Sequence, residues 1–226
     1  MSLPSLVAFG PQTAAPAGIS LLAKLRCSLQ TDARLRTFSR AIQNLPRTWD
    51  HLVASDTSLS DIEGQVQLGR LSRCLSGNGE VDDDFSDLST LPNIILTPLT
   101  LIIHVTGYFH YLKEQGISHQ QLLDEARHGG GFQGFCTGLF AAISLSVSYN
   151  TEEVVEMAVI ALRLSAAVGA YVDLDSHLAS PSGVAVSLSI RWKLPQERDR
   201  ILAVLDEFDD VSIGSYPVPN TLCISN

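Results

Sequence analysis

The chain has 226 residues, 45% of them hydrophobic, with a formal net charge of −9, which suits one domain or one domain with part of another. The acidic balance and the lack of any basic run argue against a nucleic-acid surface. Met1-Ser2-Leu3-Pro4 opens no signal peptide, and Cys27, Cys74, Cys136 and Cys223 are spaced for neither a zinc site nor a disulfide framework, so a cytoplasmic protein with free thiols and no metal is expected.

In chain order, Leu6-Val7-Ala8-Phe9 ends in Gly10-Pro11-Gln12 and predicts a buried strand opening into a loop. Leu21, Leu22, Leu25 and Leu29 recur at helical spacing, and Ala33, Leu35, Phe38 and Ile42 predict a second helical stretch that Pro46 ends. Residues 59–75 are amphipathic, and residues 76–84, with Asp82-Asp83-Asp84, read as a solvated acidic loop. Residues 94–112 are nearly long enough to span a bilayer. They carry Pro98, His104 and His110 and end at Lys113-Glu114, so a buried helix over 99–115 is expected, with Pro98 in its first turn and Gly116 closing it. No membrane association is expected. Ser118 and Gln121 have capping-box spacing for the next helix.

Residues 132–135 remain as a short strand, followed by Gly134-Phe135-Cys136-Thr137-Gly138 and the apolar run Leu139-Phe140-Ala141-Ala142-Ile143. That is the pattern of a nucleophile elbow, a sharp strand-to-helix turn on which only small residues fit beside the nucleophile. The following helix would aim its free N–H groups at the sulfur and at an oxyanion beside it, which makes Cys136 the candidate nucleophile. A buried packing thiol is the competing reading of any free cysteine. Asn150 caps a helix over 151–168 with Glu152 and Glu153 in its first turn. These elements predict an α/β layer.

In the tail, Val184, Val186, Leu188, Ile190 and Trp192 alternate with Ala185, Ser187, Ser189 and Arg191, the pattern of a half-buried strand. Pro195 opens a helix bearing Ile201, Val204, Leu205 and Phe208, and strands over 211–216 and 221–224 flank a turn. The order β-α-β-β is the first part of a ferredoxin-like unit, whose second helix and last strand are expected to be absent.

Phe9-Gly10-Pro11-Gln12, Thr97-Pro98-Leu99-Thr100-Leu101-Ile102-Ile103-His104, Gln133-Gly134-Phe135-Cys136-Thr137-Gly138-Leu139, Ala161-Leu162-Arg163-Leu164 with Gly169-Ala170-Tyr171-Val172-Asp173, and Ser189-Ile190-Arg191-Trp192 occur together. This set resembles the starter-unit acyl-carrier-protein transacylase domain at the N-terminus of fungal non-reducing polyketide synthases, over nearly the whole chain. The resemblance implies a malonyl-transferase-like core of α/β-hydrolase type over 1–180, followed by a partial ferredoxin-like subdomain over 181–226. It implies a cysteine acyltransferase with no bound cofactor. Cys136 would accept an acyl group from acyl-CoA and pass it to the phosphopantetheine thiol of an acyl carrier protein or another part of a synthase.

By the same resemblance, Gln12 and Thr137 supply an oxyanion hole, and Gly134 and Gly138 frame the elbow. Gln12 also reads as a plain turn residue beside Pro11. The family's basic histidine lies beyond the ferredoxin-like subdomain, and none of His104, His110, His119, His128 or His177 matches it. The chain is therefore expected to be acylated but to turn over poorly, with an uncovered apolar sheet face in its tail. Malonyl-taking relatives place an arginine about 25 residues after the nucleophile, where its fork grips a carboxylate. Here that count reaches Ala161, and Arg163, two positions on, would come into register only through a two-residue insertion in the connecting loop, so a plain monocarboxylic acyl group is expected. Two other readings stay open, a catalytically incomplete relative that binds or scaffolds a synthase and an unrelated cysteine hydrolase.

Overall fold

The computed structural model describes residues 6–11, 18–77, 85, 88, 91–179, 187–208, 212–215 and 221–225. The chain divides into two compact units, Met1–Asp175 and Ser176–Asn226. In the first, strands β1 (Leu6–Phe9) and β2 (Gly131–Gly134) pair in parallel, with Leu6 opposite Gly131 and Phe9 opposite Gly134. Parallel neighbours need a crossover. Here it holds α1 (Gly18–Thr31), α2 (Arg36–Gln43), α3 (Leu45–Ser55), α4 (Gly64–Ser76), α5 (Asn93–Gln115) and α6 (His119–Arg127). After β2 come α7 (Gly138–Ser146) and α8 (Thr151–Ala179). The unit is thus mostly helical, built against a small parallel sheet, an architecture compatible with α/β.

The core centres on α5, whose Ile94, Ile95, Leu99, Leu101, Ile102, Val105, Phe109 and Leu112 are buried. It packs against α1, α4 and α7. Each such side chain taken out of water stabilises the fold by about 1.5–3 kcal/mol. By length and composition α5 and residues Thr151–Asp175 would suffice to cross a membrane. In α5 most of that apolar surface is buried in the core, as expected.

Local signals held where capping chemistry is local. Ser118 and Gln121 form a complete capping box on α6. Asn150 Oδ1 accepts from the Glu153 N–H (2.9 Å) at the start of α8. Gly116 closes α5 in the left-handed region, with φ 64°.

Several boundaries differ from the sequence reading, three of them at α3, α5 and α8. Pro46 ends no helix: it lies in the first turn of α3, where its missing N–H costs nothing, and Asn44 alone separates α2 from α3. α5 begins at Asn93, so that Pro98 lies inside it. Asp173 of α8 makes this start possible, its carboxylate accepting from the N–H groups of Asn93 (2.9 Å) and Ile94 (2.8 Å) and from Asn93 Nδ2 (2.9 Å). Those are donors that a helix start leaves open. α8 runs past residue 168 through Gly169, which lies so close to the Asn93 carbonyl that a Cβ would collide with it.

The second unit contains β3 (Ser187–Arg191), α9 (Pro195–Leu205), β4 (Ser212–Ser215) and β5 (Thr221–Ser225). The expected β-α-β-β order is present. β5 is central and antiparallel to both neighbours, in the order β3-β5-β4. Buried Trp192 packs with Ile190, Ile201, Leu202 and Leu205. Ser76 of the expected acidic loop over 76–84 ends α4, and residues 78–84 of that loop, strand residues 184–186 and the turn at 217–220 lie outside the described residues.

Candidate active site

β2 ends at Gly134, the Phe135 N–H donates to the Phe9 carbonyl (3.0 Å), and α7 begins at Gly138. The chain therefore reverses from strand to helix within three residues. Cys136 absorbs the reversal with φ 54° and is the one non-glycine residue at positive φ among the described residues. Such a conformation costs on the order of 1–3 kcal/mol and persists only where its surroundings hold it. They do so through Gly138 N–H to the Phe135 carbonyl (3.0 Å) and Leu139 N–H to the Cys136 carbonyl (3.0 Å). A Cβ on Gly134 would collide with the backbone of Gly138 and Leu139, and one on Gly138 with the carbonyls of Phe9 and Gly10. Both framing glycines are thus required by close backbone approach.

The Cys136 thiol is exposed, beside Phe135 (49% exposed) and Leu139 (51% exposed). Thr137 is buried, and its Oγ1 has no hydrogen-bond partner among the described residues. Among those residues no backbone carbonyl takes the Thr137 N–H, which leaves a donor free next to the sulfur. Gln12 lies outside the described residues. Because the carbonyls of Phe9 and Gly10 abut the start of α7, the exit from β1 begins beside the elbow. Cys27 and Cys74, exposed and buried respectively, form no disulfide among the described residues, and neither lies on such a turn.

No described side chain hydrogen-bonds the Cys136 thiol. His110 is an exposed partner of Glu114 (3.0 Å), and His128 Nδ1 donates to the Asp124 carbonyl (2.6 Å). His104 packs on Phe9 with ring centroids 5.4 Å apart, and burial lowers its pKa. Ala161 is buried and Arg163 exposed on α8.

A supporting cluster below the elbow escaped the sequence reading. His119 is buried; its Nε2–H donates to the Ser148 carbonyl (3.0 Å), and its Nδ1 accepts from the Tyr108 hydroxyl (2.6 Å). The carbonyl, which only accepts, sets this tautomer. Burial lowers the His119 pKa and raises that of Tyr108. Phe132 of β2 stacks on the imidazole at 6.3 Å, so the cluster braces the strand that carries the elbow. No spacing rule links Tyr108 to His119, because only the α5–α6 turn brings them together.

Fold and site define a mostly helical protein, compatible with α/β, that presents a thiol on a strained strand–turn–helix elbow. Comparison gives the family. Residues 80–209 match the family described as starter unit:ACP transacylase in aflatoxin biosynthesis. The chain is 38% identical over 207 residues to 5-methylorsellinic acid synthase of Aspergillus terreus, covering 88% of this chain and 8% of that protein. It is 36% identical over 219 residues to methylphloroacetophenone synthase of Cladonia uncialis, covering 95% of this chain and 8% of that one. With non-reducing polyketide synthase pkbA of Emericella nidulans the identity is 37% over 184 residues, 81% and 7% of the two chains. The chain belongs to the starter unit:ACP transacylase family, the acyltransferase domains of fungal non-reducing polyketide synthases. It spans less than a tenth of the length of these relatives.

Proposed function

We propose that this chain loads a starter unit, with Cys136 taking an acyl group from acyl-CoA and passing it to the phosphopantetheine thiol of an acyl carrier protein. The observation that carries the reading is the exposed Cys136 at φ 54° between two glycines that admit no side chain. In the first half-reaction the sulfur attacks the thioester carbonyl, a new C–S bond forms, and coenzyme A leaves as the thiol with the proton that cysteine gave up. In the second, the carrier thiol attacks the acyl-cysteine and Cys136 leaves, regaining a proton. Each step exchanges one thioester for another, so the intermediate is neither a trap nor a high-energy species. The Thr137 N–H and a donor from the Gln12 loop would hold the oxyanion, each by about 3 kcal/mol.

In this reading residues 1–180 are the malonyl-transferase-like core and the β-α-β-β unit within 181–226 is part of a ferredoxin-like subdomain. The acyl group is a plain monocarboxylic one. The partners are acyl-CoA and the carrier or neighbouring domains of a synthase. The test is intact-protein mass spectrometry after incubation with acetyl- or hexanoyl-CoA. One acyl adduct is expected on the native chain and none on Cys136→Ala; an undiminished adduct on the variant refutes the assignment.

A second reading, a catalytically incomplete relative that scaffolds a synthase, is favoured by one observation: no described side chain hydrogen-bonds the Cys136 thiol. It expects carrier-protein binding without any acyl adduct, which the same mass measurement detects.

A further inference from the structure

The strand arm of the elbow is anchored through a single side chain. In β2, Gly131 and Gly134 bear none, and Gln133 is exposed, its Nε2 donating to the Gly130 carbonyl (3.1 Å). That leaves Phe132, which packs against the core. Its ring stacks on His119 at an interplanar angle of 26° and meets Tyr108 edge-on at 6.2 Å, while Tyr108 and His119 meet edge-on at 5.8 Å. Each of the three rings therefore limits the movement of the other two.

The same imidazole holds the helix arm. His119 Nε2–H donates to the carbonyl of Ser148, just past the end of α7, where a helix leaves carbonyls without internal partners. From there hydroxyls bond back along the helix, Ser148 Oγ to the Ser144 carbonyl (2.6 Å) and Ser144 Oγ to the Phe140 carbonyl (2.7 Å). The capping box of Ser118 and Gln121 fixes the backbone at His119, the first residue of α6. The bonds inside the elbow, Gly138 N–H to Phe135 and Leu139 N–H to Cys136, hold the turn but not the direction of its arms. At 1.5 Å per residue α7 is about 14 Å long, so a small slip at its far end swings its first turn against the strand.

We infer that His119 is a positioning residue for acyl transfer at Cys136, an inference that rests on the acyl-transfer reading proposed for that thiol. By tying β2 to the far end of α7 it fixes the angle at which the sulfur and the Thr137 N–H meet a thioester carbonyl. His119 is buried and bonded at both ring nitrogens, so it acts through β2 and α7 rather than on the thioester. An aliphatic side chain would fill the same space, but it would leave the Ser148 carbonyl and the Tyr108 hydroxyl without this partner and the two arms untied.

The test compares the native chain with three variants. His119→Gln keeps a donor for Ser148 without the ring, His119→Phe keeps the ring without the donor, and Tyr108→Phe removes only the hydroxyl that Nδ1 accepts from. Urea unfolding gives the folded fraction of each, and rates are referred to folded protein. At saturating hexanoyl-CoA the rate of Cys136 acylation should fall roughly tenfold to a hundredfold in both His119 variants and about threefold in Tyr108→Phe, with the half-saturating concentration nearly unchanged. Amide hydrogen exchange at Phe135, Gly138 and Leu139 should rise in the same order relative to Val105 of α5, which a general loss of stability would not do. Tyr108→Phe leaves the ring packing in place and covers the case in which the His119 variants fail to fold. Folded variants that acylate at the native rate overturn the inference. So does a rise in the half-saturating concentration alone, and so does exchange that increases equally at the elbow and at Val105. No adduct on the native chain refutes acyl transfer itself, whereas an adduct that the variants form at the native rate refutes only the role of His119.

Discussion

At the scale of single residues, the elbow is a conflict between backbone strain and close contact, resolved by two glycines. Gly138→Ala places a methyl group against the carbonyls of Phe9 and Gly10. It should cost about 1–3 kcal/mol in urea unfolding and abolish most of the acyl adduct. An unchanged midpoint would mean that α7 shifts freely away from β1. A second residue-scale effect concerns acid. Burial holds His119 and His104 below the ordinary histidine value of about 6.5, so the unfolded chain binds protons that the folded chain refuses. Their contribution to stability is complete above that value and declines as the pH falls through it toward the lower folded-state values. Urea midpoints should therefore be flat above neutrality and drop on acidification, and His119→Gln should flatten part of the drop. A slope that this variant leaves unaltered would assign the effect elsewhere. The glycine spacing and the cysteine were legible in the sequence because the elbow is built from five consecutive residues. The imidazole beneath it was not, because its partners come from α5 and the loop after α7.

At the scale of elements, local caps were readable and distant ones were not. Ser118 with Gln121 and Asn150 with Glu153 satisfy helix starts within four residues, which is why α6 and the start of α8 were anticipated. The start of α5 depends instead on Asp173, 80 residues later, which extends the helix upstream of Pro98. Asp173→Ala should remove these bonds and destabilise the fold by about 1–2 kcal/mol, with increased hydrogen exchange at Asn93 and Ile94. Unchanged exchange there would show that α5 holds its start without the carboxylate. Gly169 belongs to the same contact: it looks like a helix terminator in sequence, yet the Asn93 backbone lies too close for any larger residue.

At the scale of the whole molecule, the family fixes the class of chemistry, and the choice of acyl group is open to measurement. Ala161 stands where malonyl-taking relatives are expected to carry arginine, and it is buried, while Arg163 is exposed. Competition should therefore label Cys136 with acetyl in preference to malonyl, and Arg163→Ala should leave acetyl labelling nearly unchanged. A malonyl preference that Arg163→Ala removes would reverse this reading. The sequence by itself determined the glycine frame around Cys136, the family motifs, the buried character of α5 and the β-α-β-β order of the tail. All of these are carried by short-range patterns of apolar residues, glycines and caps. Only the tertiary structure decided where α5 starts, how far α8 runs and which histidine braces β2. Each of these depends on groups far apart in the chain that meet only after the core has closed around α5.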